Sequence, residues 1–184
     1  TDPDESIYTE SAFGANRGEG MMWISGKDLK NVSITGTGTL DGNGVAFMGK
    51  ELEDSYELKP VTDFDPRPHL LTLTNVQKLV IRDISVRNSA YWSVHLIGCR
   101  NAMIDGITIL NDLKIRNGDG IDIDHSKDVR ISNCFINSAD DGICLKSHYR
   151  GAWNDRVSIS NCHIISSASA IKFGTESLGG FKNV

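Results

Sequence analysis

The stretch from Asn117 to Lys146, NGDGIDIDHSKDVRISNCFINSADDGICLK, decides the fold because it contains one short pattern twice. In each copy an acidic turn precedes a glycine and an alternating strand, Gly120-Ile121-Asp122-Ile123 or Gly142-Ile143-Cys144-Leu145, and the copies are 22 residues apart. If each copy is one turn of a coil, matching residues lie side by side at the inter-strand spacing of about 4.8 Å. Asp119 then stacks against Asp141 with Asp140 beside them, and three carboxylates share one patch.

An isoleucine recurs at the spacing of one coil through most of the chain. The steps are 47, 23, 27 and 28 residues, and the aligned positions are Ile34, Ile81, Ile104, Ile131 and Ile159. The last three steps are one coil each, and the first is longer because of a charged segment from Gly44 to Pro66, which we interpret as a loop insertion. A sixth repeat begins at Asn183-Val184. We therefore predict a single β-helix domain over residues 1–184, incomplete at its C-terminus.

Side-chain types agree from coil to coil. Two residues after each aligned isoleucine comes a type that tolerates the left-handed backbone of a tight bend, namely Gly36, Asp83, Gly106, Asn133 and Asn161. Apolar residues then alternate with others, and a further strand recurs around Val94, Ile121, Ile143 and Ile171. Three short strands per coil, with no long helical period, predict an all-β, right-handed parallel β-helix. We expect two inward stacks, one of Ile81, Ile104, Ile131 and Ile159 and one of Ile121, Ile143 and Ile171.

Composition limits the class of protein. The chain has 184 residues, 39% of them hydrophobic, and a formal net charge of −5. These values fit one soluble domain and argue against general binding to nucleic acid or anionic membranes. No apolar run approaches the roughly 20 residues of a membrane span. Four cysteines allow a disulfide between Cys134 and Cys162, but both occupy a column otherwise filled by isoleucine, so we interpret them as small buried residues. No zinc-site spacing occurs, and we predict neither metal nor cofactor.

Six motifs occur in an order that resembles the polygalacturonase family of pectin-degrading glycosidases, glycoside hydrolase family 28. They are GTGTLDGNG (36–44), RPHLL (67–71), NSAYWSVHLIGCRN (88–101), NGDGIDID (117–124), ADDGICLKS (139–147) and AIKFGTES (170–177). The resemblance implies the β-helix and an inverting hydrolase of pectic polysaccharide, of galacturonide or rhamnogalacturonan type. It also implies that Asp140 is the general acid, that Asp119 and Asp141 hold the attacking water, and that Asn117 supports the site.

Two motifs of that family differ or lie outside the chain. The Gly-His-Gly motif of the polygalacturonases would fall at residues 168–170, which read Ala-Ser-Ala, so its histidine is absent. The Arg-x-Lys motif that binds substrate carboxylate in the family would lie beyond Val184. Lys172 and the segment GTES are similar to a bacterial and plant-like branch of the family with mixed substrates.

Three clustered carboxylates can supply both groups that inverting hydrolysis requires. One is a protonated acid for the leaving oxygen and the other a carboxylate that activates water, about 6.5 to 9.5 Å apart. Mutual repulsion raises the pKa of at least one member. We place Asp119 and Asp141 in the turn before each strand, facing solvent, because a buried unpaired charge is unfavourable. Calcium ligands, or merely polar turns, are the alternative interpretation.

Further residues are predicted to bind substrate. An outward row beside the carboxylates, which we expect to line a groove, comprises His95, Asp122, Cys144 and Lys172. Lys146 and Lys172 are candidates to pair with a uronate carboxylate. His95 is a candidate hydrogen-bond donor to the sugar, and Glu176 a further contact. A solvated face is the alternative for the row, and Trp92 is either a sugar platform or a wedge between coils.

Two other classes of function stay open. A polysaccharide lyase can use the same fold but requires calcium-binding carboxylates and an arginine or lysine base, and only the carboxylates are evident. A non-catalytic carbohydrate-binding or structural β-helix does not require a cluster of three aspartates. For the hydrolase we expect a secreted or periplasmic monomer that binds polysaccharide and neither nucleic acid nor membrane.

Overall fold

Each coil of the chain contributes one strand to each of three parallel sheets, which together form a right-handed parallel β-helix. The structure is a computed structural model that describes residues 9–10, 21–61 and 67–184. The predicted fold class is therefore confirmed. Within the described residues, no helix is long and apolar enough to cross a membrane.

The first sheet carries the acidic turns and contains seven strands. In spatial order they are β1 (Thr9–Glu10), β2 (Met21–Lys27), β7 (His69–Thr74), β10 (Val94–Ile97), β13 (Ile121–Asp124), β16 (Ile143–Ser147) and β19 (Ile171–Ser177). Only the pair β1 and β2 is antiparallel.

The other two sheets are parallel throughout. The second contains β3 (Lys30–Thr35), β8 (Gln77–Arg82), β11 (Arg100–Asp105), β14 (Lys127–Ser132), β17 (Asn154–Ser160) and β20 (Phe181–Lys182). The third contains β4 (Thr39–Asp41), β9 (Ser85–Arg87), β12 (Thr108–Leu110), β15 (Phe135–Ser138) and β18 (His163–Ser166).

Both predicted isoleucine stacks exist in the core. Ile81, Ile104 and Ile131 are fully buried and directly paired across the second sheet, and Ile159 continues the column. Burying such a side chain contributes roughly 1.5–3 kcal/mol to folding, and a coil can bury its inward face only against its neighbours. The second stack differs at its end, because Ile171 lies on the last strand of the first sheet and is 47% exposed.

Left-handed residues recur in columns that shape the bends between strands. The predicted turn column is confirmed, with positive φ at Gly36, Asp83, Gly106, Asn133 and Asn161. A second column lies at the start of the second-sheet strands, where the ladder skips one residue per strand, at Asn31, Lys78, Asn101, Asp128 and Arg156. Lysine and arginine are uncommon in this conformation, so residue type alone did not reveal the second column.

The charged insertion has a structure of its own. After a 3-10 turn at Gly44–Phe47 come two antiparallel strands, β5 (Met48–Glu51) and β6 (Leu58–Pro60). Residues 62–66, also assigned to the insertion, lie outside the described residues. Phe47 and Met48 pack with Ala90 and Ile115 in a small second core. The insertion thereby supports the segment that leads into Asn117.

All four cysteines are free thiols, and Cys134 and Cys162 occupy matching positions of neighbouring coils. Cys134 is buried, as the sequence predicts, whereas Cys162, which was also expected to be buried, is half-buried. Cys99 and Cys144 are buried as well, although Cys144 was expected in the outward row. Burial raises the pKa of the Cys99 thiol to about 11, so this thiol stays protonated at neutral pH.

Candidate active site

A cavity of about 410 Å³ opens on the outer face of the first sheet. Eight of the nine predicted site residues line it, and the exception is Asp122. The lining also includes Trp92 and four residues that the sequence analysis did not place in the site, namely His69, Tyr91, His148 and Thr175. The cavity is therefore polar, with an aromatic wall.

The three predicted catalytic carboxylates meet at one end of this cavity. One oxygen from each of Asp119, Asp140 and Asp141 lies within 4.8 Å of the others. The parallel register causes this meeting, because Ile121 pairs with Ile143 and the Gly120 N–H donates to the Asp141 carbonyl at 2.9 Å. The three side chains can therefore act on one bound molecule.

Asp119 and Asp141 are buried, not solvent-facing as the sequence analysis expected. Their residues are 3% and 2% exposed. The reason is tertiary, since aromatic and lysine side chains from neighbouring coils surround the cavity into which the turns point. One oxygen of each carboxylate, Oδ1, is buried from solvent and has no hydrogen-bond partner among the described residues.

Glycine follows each of these two aspartates because the neighbouring coil leaves no room for a side chain. A Cβ at Gly120 would lie 2.4 Å from the Gly142 carbonyl oxygen, and one at Gly142 would lie 2.7 Å from the Ala170 carbonyl oxygen. Neither glycine has a left-handed backbone. Close packing of the coils thus explains the Asp-Gly pairs.

Asp140 has a different environment from the other two carboxylates. It is only half-buried, and its backbone carbonyl accepts hydrogen bonds from the Ser138 and Ser166 hydroxyls at 2.9 and 2.6 Å. These bonds fix the turn that carries it. Asp140 is therefore the member of the cluster that a bulky ligand in the cavity can reach most easily.

Burial and mutual repulsion raise the pKa values of two members of the cluster, Asp119 and Asp140. Burial, followed by the charges of Asp122 and Asp140, raises the pKa of Asp119 well above its ordinary value. Burial, followed by the Asp141 charge, raises the pKa of Asp140. Asp141 instead has a direct cationic partner, because Lys172 Nζ lies 2.8 Å from its Oδ2. Asp141 is therefore the member of the cluster that has a lysine ammonium group in direct contact.

Lys146 occupies the floor of the cavity and covers Asp122. Its Nζ lies 3.1 Å from Glu176 Oε2, 3.6 Å from Asp122 Oδ1 and 4.5 Å from the centre of the Trp92 ring. Asp122 is fully buried, and burial raises its pKa to about 8. The residues of the outward row predicted from the sequence are paired across neighbouring strands, as expected. Its members Asp122 and Cys144, however, lie beneath the cavity and do not line it. Asp122 was expected to contact substrate directly, but its burial places it against Lys146 and away from the cavity lining.

The aromatic wall consists of side chains from two successive coils. The Trp92 ring lies edge-to-face against His69 and His95, with centroids 4.8 and 4.9 Å apart, and the two histidine rings stack at 5.6 Å. Burial, followed by the proximity of His69, lowers the pKa of His95 well below its ordinary value. His95 is therefore neutral, and it can exchange a hydrogen bond with a sugar hydroxyl but supplies no charge.

Arg67 is a buried residue that orients Asn117. Its guanidinium donates to the Asn117 side-chain oxygen at 3.2 Å and to the carbonyls of Ala90 and Arg116 at 3.2 and 2.5 Å. The ring of Tyr91 lies 4.8 Å from the same guanidinium. In the sequence, the only signal of this role was an arginine just before an apolar strand, in the motif RPHLL. The structure shows that Arg67 is fully buried and that its partner Asn117 is 50 residues away in the sequence.

The same three carboxylates satisfy the geometry of a cation site. Lys172 bears on this alternative, because its ammonium group already lies against the Asp141 carboxylate. A divalent cation would have to coexist with or displace that lysine. The donor set therefore fits proton transfer better than metal binding.

The fold and the cavity place the chain among right-handed parallel β-helix proteins that carry an acidic site on one sheet. A sequence model of the glycosyl hydrolases family 28 matches residues 7–177. The chain belongs to this family.

Individual relatives agree with that assignment. The chain is 34% identical to "Probable polygalacturonase" of Vitis vinifera, over 88% of this chain and 33% of that protein. Among solved structures it is similar to an exopolygalacturonase from Thermotoga maritima, with a TM-score of 0.76 and 21% identity over 99% of this chain and 50% of the other. It is also similar to a polygalacturonase from Erwinia carotovora ssp. carotovora, with a TM-score of 0.69 and 23% identity over 96% and 46% of the two chains. The chain spans about a third of the length of the curated relatives that it matches.

Proposed function

We propose that this chain carries the catalytic centre of a glycoside hydrolase that cleaves pectic polysaccharide. The observation that supports this most strongly is the meeting of Asp119, Asp140 and Asp141 at one end of a cavity of sugar-ring dimensions. Membership of glycosyl hydrolases family 28 and the polygalacturonase relatives support the substrate class. Galacturonide and rhamnogalacturonan linkages are the two candidate substrates.

In this proposal Asp140 is the general acid. Its raised pKa keeps it protonated at a pH where an ordinary aspartate is ionised, and its partial exposure lets it reach the oxygen of a leaving sugar. After proton transfer the negative charge on Asp140 develops within reach of Lys172 and Lys146, which both lower its pKa. The acid therefore becomes a stabilised carboxylate once the bond has broken.

Asp119 and Asp141 hold the attacking water in this proposal. Asp141, which has the Lys172 ammonium group 2.8 Å from its Oδ2, accepts the proton of the water as it attacks the sugar. Asp119, which faces Asp141 one coil away and has a raised pKa, orients the same water.

We infer inversion at the anomeric carbon from membership of glycosyl hydrolases family 28 and not from the spacing of the carboxylates. One oxygen of each carboxylate lies within 4.8 Å of the others, whereas the separation of about 6.5–9.5 Å in a typical inverting enzyme is that between two whole carboxyl groups. With two carboxylates on one water and a third on the leaving oxygen, the cluster does not need a wide gap, and we propose inversion.

The decisive experiment is product analysis on polygalacturonate and rhamnogalacturonan, with and without chelator. A hydrolase gives saturated products whose new reducing end has the inverted configuration by NMR, and chelator has no effect. An ultraviolet-absorbing unsaturated product that requires calcium would replace this proposal with the lyase. Absence of any cleavage by the full chain, with binding retained, would favour the carbohydrate-binding protein.

Leaving-group dependence tests the individual roles. Replacing any of the three aspartates by asparagine is expected to lower turnover by about 10²–10⁴-fold. A substrate with a good leaving group needs little protonation, so it should partly rescue Asp140→Asn but neither Asp119→Asn nor Asp141→Asn. Equal rescue of all three variants would refute the assignment, and full activity in all three would refute the catalytic site itself.

The remaining functional proposals follow from the substrate. A polymeric pectic substrate lies outside the cell, so we propose a secreted or periplasmic protein. We also propose that it acts as a monomer on polysaccharide, which size-exclusion chromatography with light scattering would test.

A further inference from the structure

A second cavity lies at the corner where the first sheet turns into the second. Its volume is about 500 Å³, within the range of roughly 300–1,000 Å³ that is typical of small-molecule sites. The catalytic aspartates precede the strands of the first sheet, whereas this corner follows them, after strands of about four residues or roughly 13 Å. Three successive coils line it with two cations, one carboxylate, two amides and a glycine, namely Lys30, Arg100, Asp28, Asn75, Gln77 and Gly98.

The corner cavity opens where a column of side chains is interrupted. Asp28, Asn75, Gly98 and His125 occupy the same position of four successive coils, and each has a left-handed backbone. Gly98 alone of these four has no side chain. A Cβ at Gly98 would lie 2.6 Å from Asn75 Oδ1 and 3.3 Å from His125 Nε2. The amide oxygen and the imidazole therefore border the space above the glycine.

The groups that border this space are held in fixed orientations. Asn75 Nδ2 donates to Asp28 Oδ1 at 3.0 Å, so the amide oxygen is turned the other way, over the glycine. His125 Nδ1 lies 2.8 Å from Oδ1 of the fully buried Asp124. Burial raises the pKa of Asp124, but the hydrogen bonds from His125 and His148 outweigh it and hold this pKa well below its ordinary value. Asp124 is therefore an anion that orients the His125 ring.

Two cations, Lys30 and Arg100, flank the corner cavity on its second-sheet side. They pair in register with Gln77 from either side, across β3, β8 and β11, so their backbones are two strand spacings, or roughly 10 Å, apart. In the described part of the chain, neither of them has a carboxylate oxygen within 4.0 Å. Farther along the same sheet, Arg156 is by contrast paired with Asp128. Lys30 and Arg100 are therefore available to an anionic ligand.

We propose that this corner is a non-catalytic binding site for an acidic oligosaccharide. The carboxylate of a sugar acid can pair with Arg100 and Lys30, while its hydroxyl groups donate to Asp28 and to the Asn75 amide oxygen. The phosphate groups of a nucleic acid or a lipid surface offer no donor to Asp28 and are repelled by it. The inference goes beyond the proposed function, because no bond is cleaved here. A polymer bound at the corner is kept near the catalytic cavity, which raises its local concentration there.

Titration of the ¹⁵N-labelled chain with trigalacturonate, followed by NMR spectroscopy, tests the inference. The full chain carries Asp140→Asn so that the ligand stays intact. The backbone amide of Gly98 and the side-chain amide of Asn75 report binding at the corner, whereas the indole N–H of Trp92 reports binding in the catalytic cavity. Parallel titrations use the methyl ester of trigalacturonate, acetate and a single-stranded oligonucleotide. They distinguish a sugar acid from a neutral sugar, from any carboxylate and from a phosphate polymer.

A pair of charge variants tests the cations. Lys30→Gln combined with Arg100→Gln removes both of them from the corner. The control combines Arg82→Gln with Arg87→Gln, which removes the same charge from exposed arginines at the far end of β8 and on the third sheet.

A steric variant tests the site independently of charge. Gly98→Asn places a side chain in the space above the glycine. Asparagine suits the left-handed backbone there, as Asn75 shows at the same position of the preceding coil. The dispersion of the NMR spectrum verifies the fold of each variant, and either kind of variant decides the question if the other does not fold.

We expect trigalacturonate to shift the Gly98 and Asn75 signals saturably. Loss of both cations, or filling of the space, should weaken this binding by at least about tenfold, while the response of Trp92 and the behaviour of the control variant stay as in the parent. The ester and acetate should bind the corner at least about tenfold more weakly than trigalacturonate.

Corner signals that do not move, that respond equally to acetate or to the ester, that respond more strongly to the oligonucleotide, or that are unchanged in the folded variants would overturn the inference. Binding at the corner is measured separately from cleavage. A chain that binds there but gives no product would refute the proposed function alone, and a chain that gives product but does not bind there would refute this inference alone.

Discussion

Lys172 allows the sharpest test of how charge is arranged in the catalytic cluster. Its Nζ lies 2.8 Å from Asp141 Oδ2, and the two side chains are 37% and 2% exposed. The hydrogen bond to Asp141 also raises the pKa of Lys172 itself. We predict that Lys172→Met leaves three crowded carboxylates without this cation, so that ionising the cluster becomes harder. The acid limb of the pH profile of kcat/KM should therefore move to higher pH.

The size of the shift follows from the contact. A hydrogen bond between charged groups contributes about 1.5–3 kcal/mol, and solvent on the lysine side places this one toward the lower value. Since 1.36 kcal/mol corresponds to one pH unit, we expect the limb to move by about one unit. At a pH below the limb, kcat/KM should fall roughly tenfold, while near the alkaline end the loss should be smaller.

Lys172→Arg is the matched control, because it keeps the positive charge beside Asp141. Profiles of kcat/KM against pH for both variants and the parent report the free enzyme. An acid limb that does not move in Lys172→Met, or moves equally in Lys172→Arg, would refute the reasoning. A higher KM for charged substrate without any shift would instead support the uronate contact that the sequence analysis assigned to Lys172.

Two further predictions concern stability. Ile131→Ala should lower the free energy of unfolding by about 2–5 kcal/mol in urea titrations, since Ile131 is fully buried within its stack. The control Leu110→Ala, at a residue that is 42% exposed, should change this free energy by only about 0.5 kcal/mol. Similar losses for the two variants would contradict the core assignment. The folded-state pKa of Asp124 is held below the unfolded value of about 3.9, so its contribution is fully present above that pH and is lost as pH falls through the folded value. Asp124→Asn should therefore remove part of the acid sensitivity below about pH 4, and parallel stability curves for parent and variant would contradict this.

The architecture followed from the sequence because it repeats. A side chain at a given position of one coil meets the same position of the next, so residue type and spacing alone predicted the pairing of Ile104 with Ile131 and of Ile121 with Ile143. The same register predicted that Asp119 stacks beside Asp141. Local rules also predicted the left-handed column at Gly106 and Asn133, since few residue types tolerate that backbone.

The sequence did not reveal the environment of the side chains. Asp119 and Asp141 were expected in solvent and are buried, because the cavity is enclosed by side chains from several coils and not by their sequence neighbours. Three contacts of the site join residues that are 24 to 50 positions apart in the sequence. They are Lys172 with Asp141, Lys146 with Asp122, and Arg67 with Asn117. No period in the sequence encodes such contacts.

The sequence by itself thus determined the coil, the strand register and which carboxylates come together, because a parallel β-helix converts a repeat along the chain into a row in space. Only the tertiary structure decided which of those carboxylates has a cation beside it, which lies beneath the cavity, and that Asp124 Oδ2 lies 2.6 Å from His148 Nδ1. The physical reason is that proton affinity depends on burial and on charges a few ångströms away, and these distances are set by side chains from different coils.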